Sequence, residues 1–276
     1  KELFISQPGL TTSIRELETE MGIKIFTRTN KGVVTSNEGE RFLGYARQAL
    51  EQASLLEGVY KSGTKIKQQF CVSTQHYSFA VNAFVDLIRR FAGEEYDFSL
   101  RETETYEIID DVAKMKSEIG ILYLNSFNKD ALMKIIKSKS LTFTELFTAK
   151  PHVFVSTDHP LADKKSVTME ELADYPYLSF EQGEHNSFYY SEEIFSTVGR
   201  TKNIRVTDRA TLFNLLIGLN GYTVCSGVID NELNGDNITA IPLDEEGNMK
   251  IGYIENKKIL HSNLAEAYIE ALKKHI

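Results

Sequence analysis

Short polar and basic side chains that could hydrogen-bond DNA are concentrated near the start of the chain. On one helical face such groups can reach the edges of bases, and a helix N-terminus can approach a phosphate. Arginine and lysine near the tip of a following hairpin can contact the phosphate backbone. The candidates for contact with double-stranded DNA are Ser6, Gln7, Thr11, Thr12, Arg15, Arg28 and Lys31. An ordinary surface helix and hairpin would show the same periodicity.

A second group of hydroxyl, amide and carboxylate side chains follows segments that are predicted to be strands. In open α/β sheets, ligands bind beyond the carboxyl ends of strands, where helix starts leave backbone N–H groups free. This rule selects the candidate ligand-binding residues Ser73, Thr74, Gln75, Thr103, Thr105, Glu181, Gln182, Gly183 and Thr207. Serine, threonine and aspartate at such positions are also ordinary helix caps that need no ligand.

The charges around this second group indicate the kind of ligand. Helix N-termini and hydroxyls favour an anionic or zwitterionic small molecule. Four nearby carboxylates could receive an ammonium group: Glu102, Glu104, Glu181 and Glu184. The sequence therefore predicts an amino acid or a related metabolite.

The sequence does not predict a catalytic or metal site. Four histidines lie outside any His-x-x-x-His or Cys-x-x-Cys pair: His76, His152, His159 and His185. A Gly-x-Ser-x-Gly elbow and a phosphate-binding loop are also absent from the sequence. We expect His159 to lie in a turn before Pro160 and His185 to cap a following helix. No metal, cofactor or enzyme activity is expected.

The run SQPGLTTSIRELETEM predicts the helix that presents the DNA-contacting face. Ser6 is a suitable N-cap, and Pro8 is tolerated in the first turn. One apolar stripe recurs at steps of four and three residues: Leu10, Ile14, Leu17 and Met21. Gly22 is expected to end this helix, and IKIFTR with GVVTS then predicts a small hairpin.

A second helix is predicted from Thr35 to about Tyr60. The run TSNE indicates a capping box in which Thr35 is the N-cap and Glu38 lies three residues on. Apolar positions then repeat as in a coiled coil and predict a dimerisation seam: Phe42, Ala46, Ala49, Ala53, Leu56 and Tyr60. One helix cannot bury this seam alone, so we expect a homo-oligomer.

Strand-like and helix-like segments alternate from residue 69 onward. This alternation predicts an α/β fold with mostly parallel sheet, and its length of about 210 residues predicts two lobes. Helices are expected at 76–92, 106–116, 168–174, 188–198, 208–219 and 261–275.

The N-terminal pattern resembles that of LysR-type transcriptional regulators. The matching residues are Ser6, Gln7, Pro8, Leu10, Ile14, Leu17, Glu18, Gly22, Phe26, Arg28, Thr35 and Gly39. Thr11 stands where serine is usual, and Ile25 stands where leucine is usual. Farther along, FCVSTQHYSF, DHPLADKKSVTMEELADYPYLSF and GLNGYTV are similar to segments of the family's effector domain.

The resemblance implies a winged helix-turn-helix at 1–36, whose first helix is missing from the given chain, and a dimerising linker helix at 37–62. It also implies a two-lobed α/β effector domain of the type II periplasmic-binding-protein fold, with lobe 1 at 68–145 and 243–276 and lobe 2 at 146–242. In the family the first and third strand ends commonly contribute to effector binding, which points to Ser73, Thr74, Gln75 and Gln182. The implied function is promoter-DNA binding by a homodimer or homotetramer under the control of a small-molecule effector.

The charge distribution agrees with a DNA-contacting N-terminal part. The chain carries a net charge of −8, but residues 1–67 hold ten Lys/Arg against eight Asp/Glu, a net charge of +2. No apolar run reaches the roughly 18 residues of a membrane helix, and no secretory signal is visible. We therefore expect a cytoplasmic protein without a membrane partner, and Cys71 and Cys225 as reduced, buried thiols.

Two other classes of function remain open at this point. A solute-binding receptor without a transcriptional role would share the two-lobed fold, but it would have no use for the Ser6–Arg28 unit. An enzyme on an α/β scaffold would need a convergent catalytic set, which the sequence does not nominate.

Overall fold

The computed structural model describes residues 6–29, 32–47, 50, 68–91, 93, 95–229 and 235–276. The chain divides into two compact units, Lys1–Ile66 and Lys67–Ile276. The strands are β1 (Phe26–Thr29), β2 (Gly32–Thr35), β3 (Gln68–Thr74), β4 (Tyr96–Glu102), β5 (Ile119–Leu124), β6 (Leu141–Ala149), β7 (His152–Ser156), β8 (Tyr177–Phe180), β9 (Asn203–Val206), β10 (Thr223–Cys225), β11 (Ile238–Pro242) and β12 (Met249–Asn256). The helices are α1 (Gln7–Met21), α2 (37–47), α3 (Ser78–Phe91), α4 (Thr105–Ala113), α5 (Lys129–Ser138), α6 (Arg209–Leu219) and α7 (Asn263–Leu272).

In the first unit, α1 is followed by the β1–β2 hairpin and by α2, as the sequence predicts. The Ser6 hydroxyl accepts a hydrogen bond from the Gly9 N–H at 3.3 Å, so Ser6 is the N-cap of α1. Gly22 ends α1 in the left-handed region, with a φ of +66°. A residue with a side chain would be strained there.

The predicted N-cap of α2 was wrong by one residue. Thr35 is the last residue of β2, where it pairs with Phe26, so its backbone is held by the hairpin. Ser36 takes the cap position instead, because its hydroxyl accepts a hydrogen bond from the Gly39 N–H at 2.8 Å. Its carbonyl oxygen accepts the first helical hydrogen bond, from the Glu40 N–H at 2.9 Å.

Only part of the predicted dimerisation seam can be located. Phe42 and Ala46 lie in α2 and are partly exposed. The remaining seam positions fall outside the described residues: Ala49, Ala53, Leu56 and Tyr60.

The larger sheet of the second unit has five strands in the order β4-β3-β5-β12-β6. Every residue of β5 is buried, because both faces of the sheet are covered. Ile121 and Tyr123 face a core built with α3 and α7, whereas Leu122 and Leu124 face a core built with α4 and α5. We call this sheet with its four helices lobe 1. Strand β6 stays in lobe 1 as far as Ala149, beyond residue 145, where the boundary was expected.

Lobe 2 comprises β7 to β11 with α6. Strands β10, β7 and β11 form an antiparallel sheet, and β8 and β9 form a parallel pair. A bridge between Tyr177 and Tyr222 places β8 beside β10. One apolar core lies between these strands and α6: Leu178, Val206, Leu212, Leu216 and Ile238.

The second unit is mixed rather than mostly parallel, which corrects the prediction. In lobe 1, β3 runs parallel to β4 and β5, but β12 runs antiparallel to both of its neighbours. The strand β12 belongs to lobe 1 although it follows lobe 2 in the chain, so the local alternation of elements could not reveal its direction.

Two predicted helices do not form. Residues 168–174 are turns, and residues 188–198 contain only the 3-10 turn Phe188–Tyr190. In the second segment, the carboxylates of Glu192 and Glu193 are used in tertiary hydrogen bonds, and Phe195 has a φ of +64°. Tertiary contacts thus override the helical pattern. Helix α5 and strand β6 were not predicted.

Candidate functional site

One face of α1 carries polar side chains along an open surface groove. The groove is lined by Thr11, Thr12, Arg15, Glu16, Thr19 and Glu20. The hydroxyls of Thr11 and Thr12 donate to the carbonyl oxygens of Gln7 and Pro8, at 2.9 and 3.0 Å. Each hydroxyl oxygen therefore keeps its lone pairs available to accept. Three predicted DNA contacts, Thr11, Thr12 and Arg15, lie together on this face.

A buried carboxylate fixes the hairpin to α1. Glu18 is 8% exposed, and its Oε1 accepts hydrogen bonds from the backbone N–H groups of Ile25 and Phe26, at 2.8 and 3.0 Å. The Phe26 N–H, together with Lys24 at 3.2 Å, lowers the pKa of Glu18. Sequence analysis missed this role. A glutamate in the last turn of a helix opposes the helix dipole, and that misfit is the signal that could have found it.

Arg28 is exposed on β1, opposite Val33 of β2. The Glu18 hydrogen bonds to the start of β1 fix this strand relative to α1, and thereby fix where Arg28 can reach. Lys31, its predicted companion, lies outside the described residues.

The first predicted ligand segment is mostly internal. The Ser73 hydroxyl donates to Asp111 Oδ2 at 2.8 Å and lies 2.7 Å from the Ser117 hydroxyl. The Thr74 hydroxyl donates to the Gln75 carbonyl oxygen at 2.7 Å. Both side chains are fully buried, and the Ser73 hydroxyl links β3 to α4 inside lobe 1.

Three predicted ligand residues meet in one buried hydrogen-bond chain that joins the lobes. Gln75 Nε2 donates to the Thr105 hydroxyl at 2.6 Å, and Gln75 Oε1 accepts from the Tyr123 N–H at 3.0 Å. The Thr105 N–H then donates to Gln182 Oε1 in lobe 2, at 3.0 Å. Gln182 Nε2 continues the chain to Glu192 Oε1 at 3.2 Å.

His76 completes this chain and was not among the predicted ligand residues. Its backbone N–H donates to Glu192 Oε2, and its Nδ1 lies 2.9 Å from the same oxygen. Its ring stacks on Phe180 with centroids 3.7 Å apart. Burial opposes the charge on His76, but the Glu192 carboxylate outweighs burial and raises the pKa of His76. The residue directly follows the Ser-Thr-Gln run, so its position alone could have nominated it.

Two further carboxyl groups, one buried and one partly buried, lie near this hydrogen-bond chain. Glu193 is 3% exposed; its Oε1 accepts from the Phe180 N–H at 2.8 Å. Burial, reinforced by the charge of Glu192, raises the pKa of Glu193 to about 8. Burial also raises the pKa of Glu102, although Arg209 forms an ion pair with it at 2.7 Å. Glu192 and Glu193 were not predicted as site residues, because in the helix expected at 188–198 charged side chains are typical of the solvent-exposed face.

The other predicted ligand residues occupy the rim. The Thr103 N–H donates to the Thr74 carbonyl oxygen at 3.0 Å, and Thr103 is half-exposed. Glu181 and Thr207 are exposed. Gly183 has a φ of +51° and packs against the Glu104 carboxylate, which would have to shift to make room for a Cβ. Asp208, next to Thr207, caps α6 through the Thr211 N–H.

The space between the lobes is nearly closed. A cavity of about 40 Å³ remains, lined by polar groups and by an apolar wall: His76, Glu193, Arg209, Phe154, Leu212 and Val224. This volume holds only a few water molecules. In this arrangement of the lobes the cavity is therefore smaller than an organic ligand.

The remaining candidates for chemistry lie elsewhere. In the described ranges, no three His, Cys, Asp or Glu side chains are grouped so that they could hold a metal ion. His185 stacks on Tyr106 with centroids 3.6 Å apart and does not cap a helix, because the α-helix predicted at 188–198 does not form. His159 lies in a turn, as predicted, with Nδ1 accepting from the Leu161 N–H. Cys71 and Cys225 are free but only half-buried. Among the described helices, none is long and apolar enough to span a bilayer.

Fold and site together define a class of protein. Two α/β lobes that are bridged by buried polar residues form a domain with the fold of type II periplasmic binding proteins, and a separate helix–hairpin–helix unit precedes it in the chain. A family model described as "LysR substrate binding domain" matches residues 72–276, and one described as "Bacterial regulatory helix-turn-helix protein, lysR family" matches residues 1–40. The chain belongs to the LysR family of transcriptional regulators.

Curated relatives are similar over part of their length. CysB of Burkholderia cenocepacia is 28% identical over 187 residues, which cover 66% of this chain and 56% of that protein. The RuBisCO operon transcriptional regulator of Allochromatium vinosum is 29% identical over 209 residues, which cover 73% of this chain and 63% of that protein. These matches thus span less than two thirds of either relative.

Solved structures show the same fold. A variant of full-length BenM has a TM-score of 0.53 at 20% identity, covering 99% of this chain and 88% of that one. Oxidized OxyR from Corynebacterium glutamicum has a TM-score of 0.51 at 17% identity, covering 99% and 84%.

Proposed function

We propose that this protein is a sequence-specific DNA-binding transcriptional regulator whose activity is controlled by a small molecule bound between lobes 1 and 2. The observation that carries the proposal is the polar face of α1, with its threonine and arginine side chains aligned along an open groove. A receptor that only binds solutes has no use for such a face. No catalytic step is part of the proposal.

The two parts of the N-terminal unit have different roles in this proposal. Residues on α1 read base edges in the major groove: Ser6, Gln7, Thr11, Thr12 and Arg15. Arg28 and Lys31 on the hairpin contact phosphates, which adds affinity but no sequence preference. Promoter DNA is the partner.

The effector carries an ammonium group, as an amino acid does. The ionisable groups at or near the inter-lobe cavity include three carboxyls, Glu102, Glu192 and Glu193, against two cationic side chains, His76 and Arg209. A ligand cation beside Glu193 favours the ionised form of this carboxyl, and the acidic excess that results is stabilised by that cation. The apolar wall of Phe154, Leu212 and Val224 would accept the ligand's aliphatic or aromatic part.

Ligand binding is transmitted by the buried hydrogen-bond chain. A ligand that replaces the contact between Gln182 and Thr105 binds an open arrangement of the lobes and shifts the population towards it. In a homodimer or homotetramer held by the Phe42–Tyr60 seam, this alters the spacing of the two DNA-reading helices. The cytoplasm is the proposed location.

Binding of the full-length protein to its own upstream DNA tests the regulatory role. The expected result is tighter binding to that duplex than to a random duplex of equal length, with the logarithm of affinity falling linearly as the logarithm of salt concentration rises. Equal affinity for both duplexes would refute sequence-specific recognition.

A thermal-shift screen tests the effector class separately. An amino acid is expected to raise the midpoint of unfolding, since a ligand that binds only the folded state stabilises it. Stabilisation by sugars or by neutral aromatics, with none by amino acids, would overturn the ammonium assignment and leave the DNA result untouched.

A further inference from the structure

The chain between β8 and β9 encloses a second cavity, about 710 Å³ in volume and open to solvent on one side. Helices usually cover parallel strand pairs and bury both faces. Here residues 181–202 cross over as turns, and the space that a helix would fill is left empty. Such a volume lies within the range of small-molecule sites.

The β8–β9 pair turns a polar face towards this cavity. Ser179 is paired with Arg205, and Tyr177 with Asn203, so all four side chains share one face. The alternate residues Leu178 and Val206 enter the core beneath α6. A parallel pair that served only to build the core would be apolar on both faces.

Two arginines line the cavity, and they differ in how many protein groups bind their side chains. Arg200 is fixed: its Nε donates to the Tyr222 hydroxyl and its Nη1 to two carbonyl oxygens, those of Phe195 and Val198. Its guanidinium also lies over the Tyr177 ring, 3.8 Å from the centroid. Arg205 is exposed and has no carboxylate within ion-pair distance among the described residues.

The acidic groups of the cavity oppose this positive charge only weakly. Glu193 lines the wall, but its Oε1 is occupied by the Phe180 N–H, and burial keeps its carboxyl largely protonated at neutral pH. Glu181 lies at the exposed rim.

We propose that this cavity is a second ligand site, which takes a small polar molecule bearing an oxyanion, either a phosphate or a carboxylate. Arg205 binds the oxyanion, and Ser179 and Asn203 hydrogen-bond the rest of the molecule. The site is distinct from the inter-lobe cavity, which Arg209 lines from the other side of β8 and β9. Phe180 and Glu193 line both cavities, so the two sites are coupled through shared side chains.

The test is calorimetric titration of the full chain with inorganic phosphate and, separately, with citrate, at constant ionic strength. The parent binds at least one of the two anions, and which one it binds identifies the oxyanion. Arg205→Gln weakens that binding tenfold or more, because the charge-assisted pair is lost. Ser179→Val, which keeps the arginine and fills part of the cavity, weakens it as well.

A matched control variant tests whether the anion binds in this cavity. Arg89→Gln removes the same charge from an exposed position on α3 and leaves the affinity unchanged. The proposal is overturned if neither anion binds the parent. It is also overturned if Arg205→Gln binds like the parent, or if Arg209→Gln and not Arg205→Gln abolishes binding. None of these results depends on DNA binding.

Discussion

Replacing Gly39 by alanine is expected to separate α2 from the hairpin. A Cβ at residue 39 would lie 2.8 Å from the Cα of Ile25 and 2.9 Å from its carbonyl carbon, and it would overlap the carbonyl oxygen. All three atoms are backbone, so no side chain can rotate away. Carbon atoms in contact are about 3.5 Å apart or more, and α2 would have to move by roughly 0.7 Å or more.

The cost has two parts. Overpacking of a tight contact costs about 1–3 kcal/mol. The same Ile25 carbonyl oxygen accepts a hydrogen bond from the Ser36 N–H at 3.0 Å, and moving α2 weakens this bond, at about 0.5–1.5 kcal/mol. The sum is roughly 1.5–4.5 kcal/mol, which is comparable to the stability that a core of this small size supplies.

Amide hydrogen exchange of the full-length protein measures the effect. In Gly39→Ala the α1 amides exchange faster by about tenfold to a thousandfold, at tenfold per 1.4 kcal/mol. The matched control is Gly44→Ala on the same helix, where a Cβ meets no atom within 4 Å. This control slows exchange about two- to fivefold, since alanine favours helix by about 0.5–1 kcal/mol. Equal protection in the two variants would refute the close-contact reasoning.

Three further predictions concern DNA contacts and the buried chain. In fluorescence anisotropy, Arg15→Ala reduces the preference for upstream over random duplex by about 1–3 kcal/mol, whereas Arg28→Ala weakens both duplexes alike. Glu193→Gln removes a carboxyl whose pKa is raised from 4.5 to about 8. Between these two pKa values the folded state keeps the proton and the unfolded state has lost it. The free energy of unfolding of the parent therefore falls as pH rises through this range, by at most about 1.4 kcal/mol per pH unit. In urea unfolding, the variant is expected to lack this pH dependence. Gln182→Met leaves the Thr105 N–H without its buried partner and lowers the free energy of unfolding by roughly 1–3 kcal/mol in the same assay.

Each of these predictions has a contradicting result. If Arg15→Ala weakened both duplexes equally, the residue would contact phosphate and not base. Parallel stability–pH curves for the parent and Glu193→Gln would mean that this carboxyl ionises normally. Unchanged unfolding of Gln182→Met would mean that the inter-lobe hydrogen bonds contribute little.

Local signals were sufficient to predict the N-terminal unit. The cap at Ser6, the stop at Gly22 and the hairpin depend on short-range backbone chemistry, and the structure has all three. The predicted capping box is wrong about Thr35, because pairing with Phe26 of β1 keeps the backbone of Thr35 in strand β2. The local sequence around Thr35 does not contain this information.

The sequence nominated some of the residues that form the inter-lobe hydrogen-bond chain, and their role in ligand binding stays a prediction. The rule about strand ends found Gln75, Thr105 and Gln182, because it depends on sheet geometry, which the alternation of elements indicates. It could not find Glu192 and Glu193, because their segment between β8 and β9 does not form the helix that its sequence pattern predicts. These carboxylates instead accept hydrogen bonds from the backbone N–H groups of His76 and Phe180. It also could not tell that the Ser73 hydroxyl faces Asp111, inside lobe 1.

The most direct test of the account is the affinity of the full-length protein for its own upstream duplex, measured with and without a mixture of the common amino acids. The account predicts a change in that affinity of about fivefold or more, which is the usual scale of coupling between two sites on one protein. Affinity that stays the same with and without the mixture, together with no preference for the upstream duplex, would contradict it.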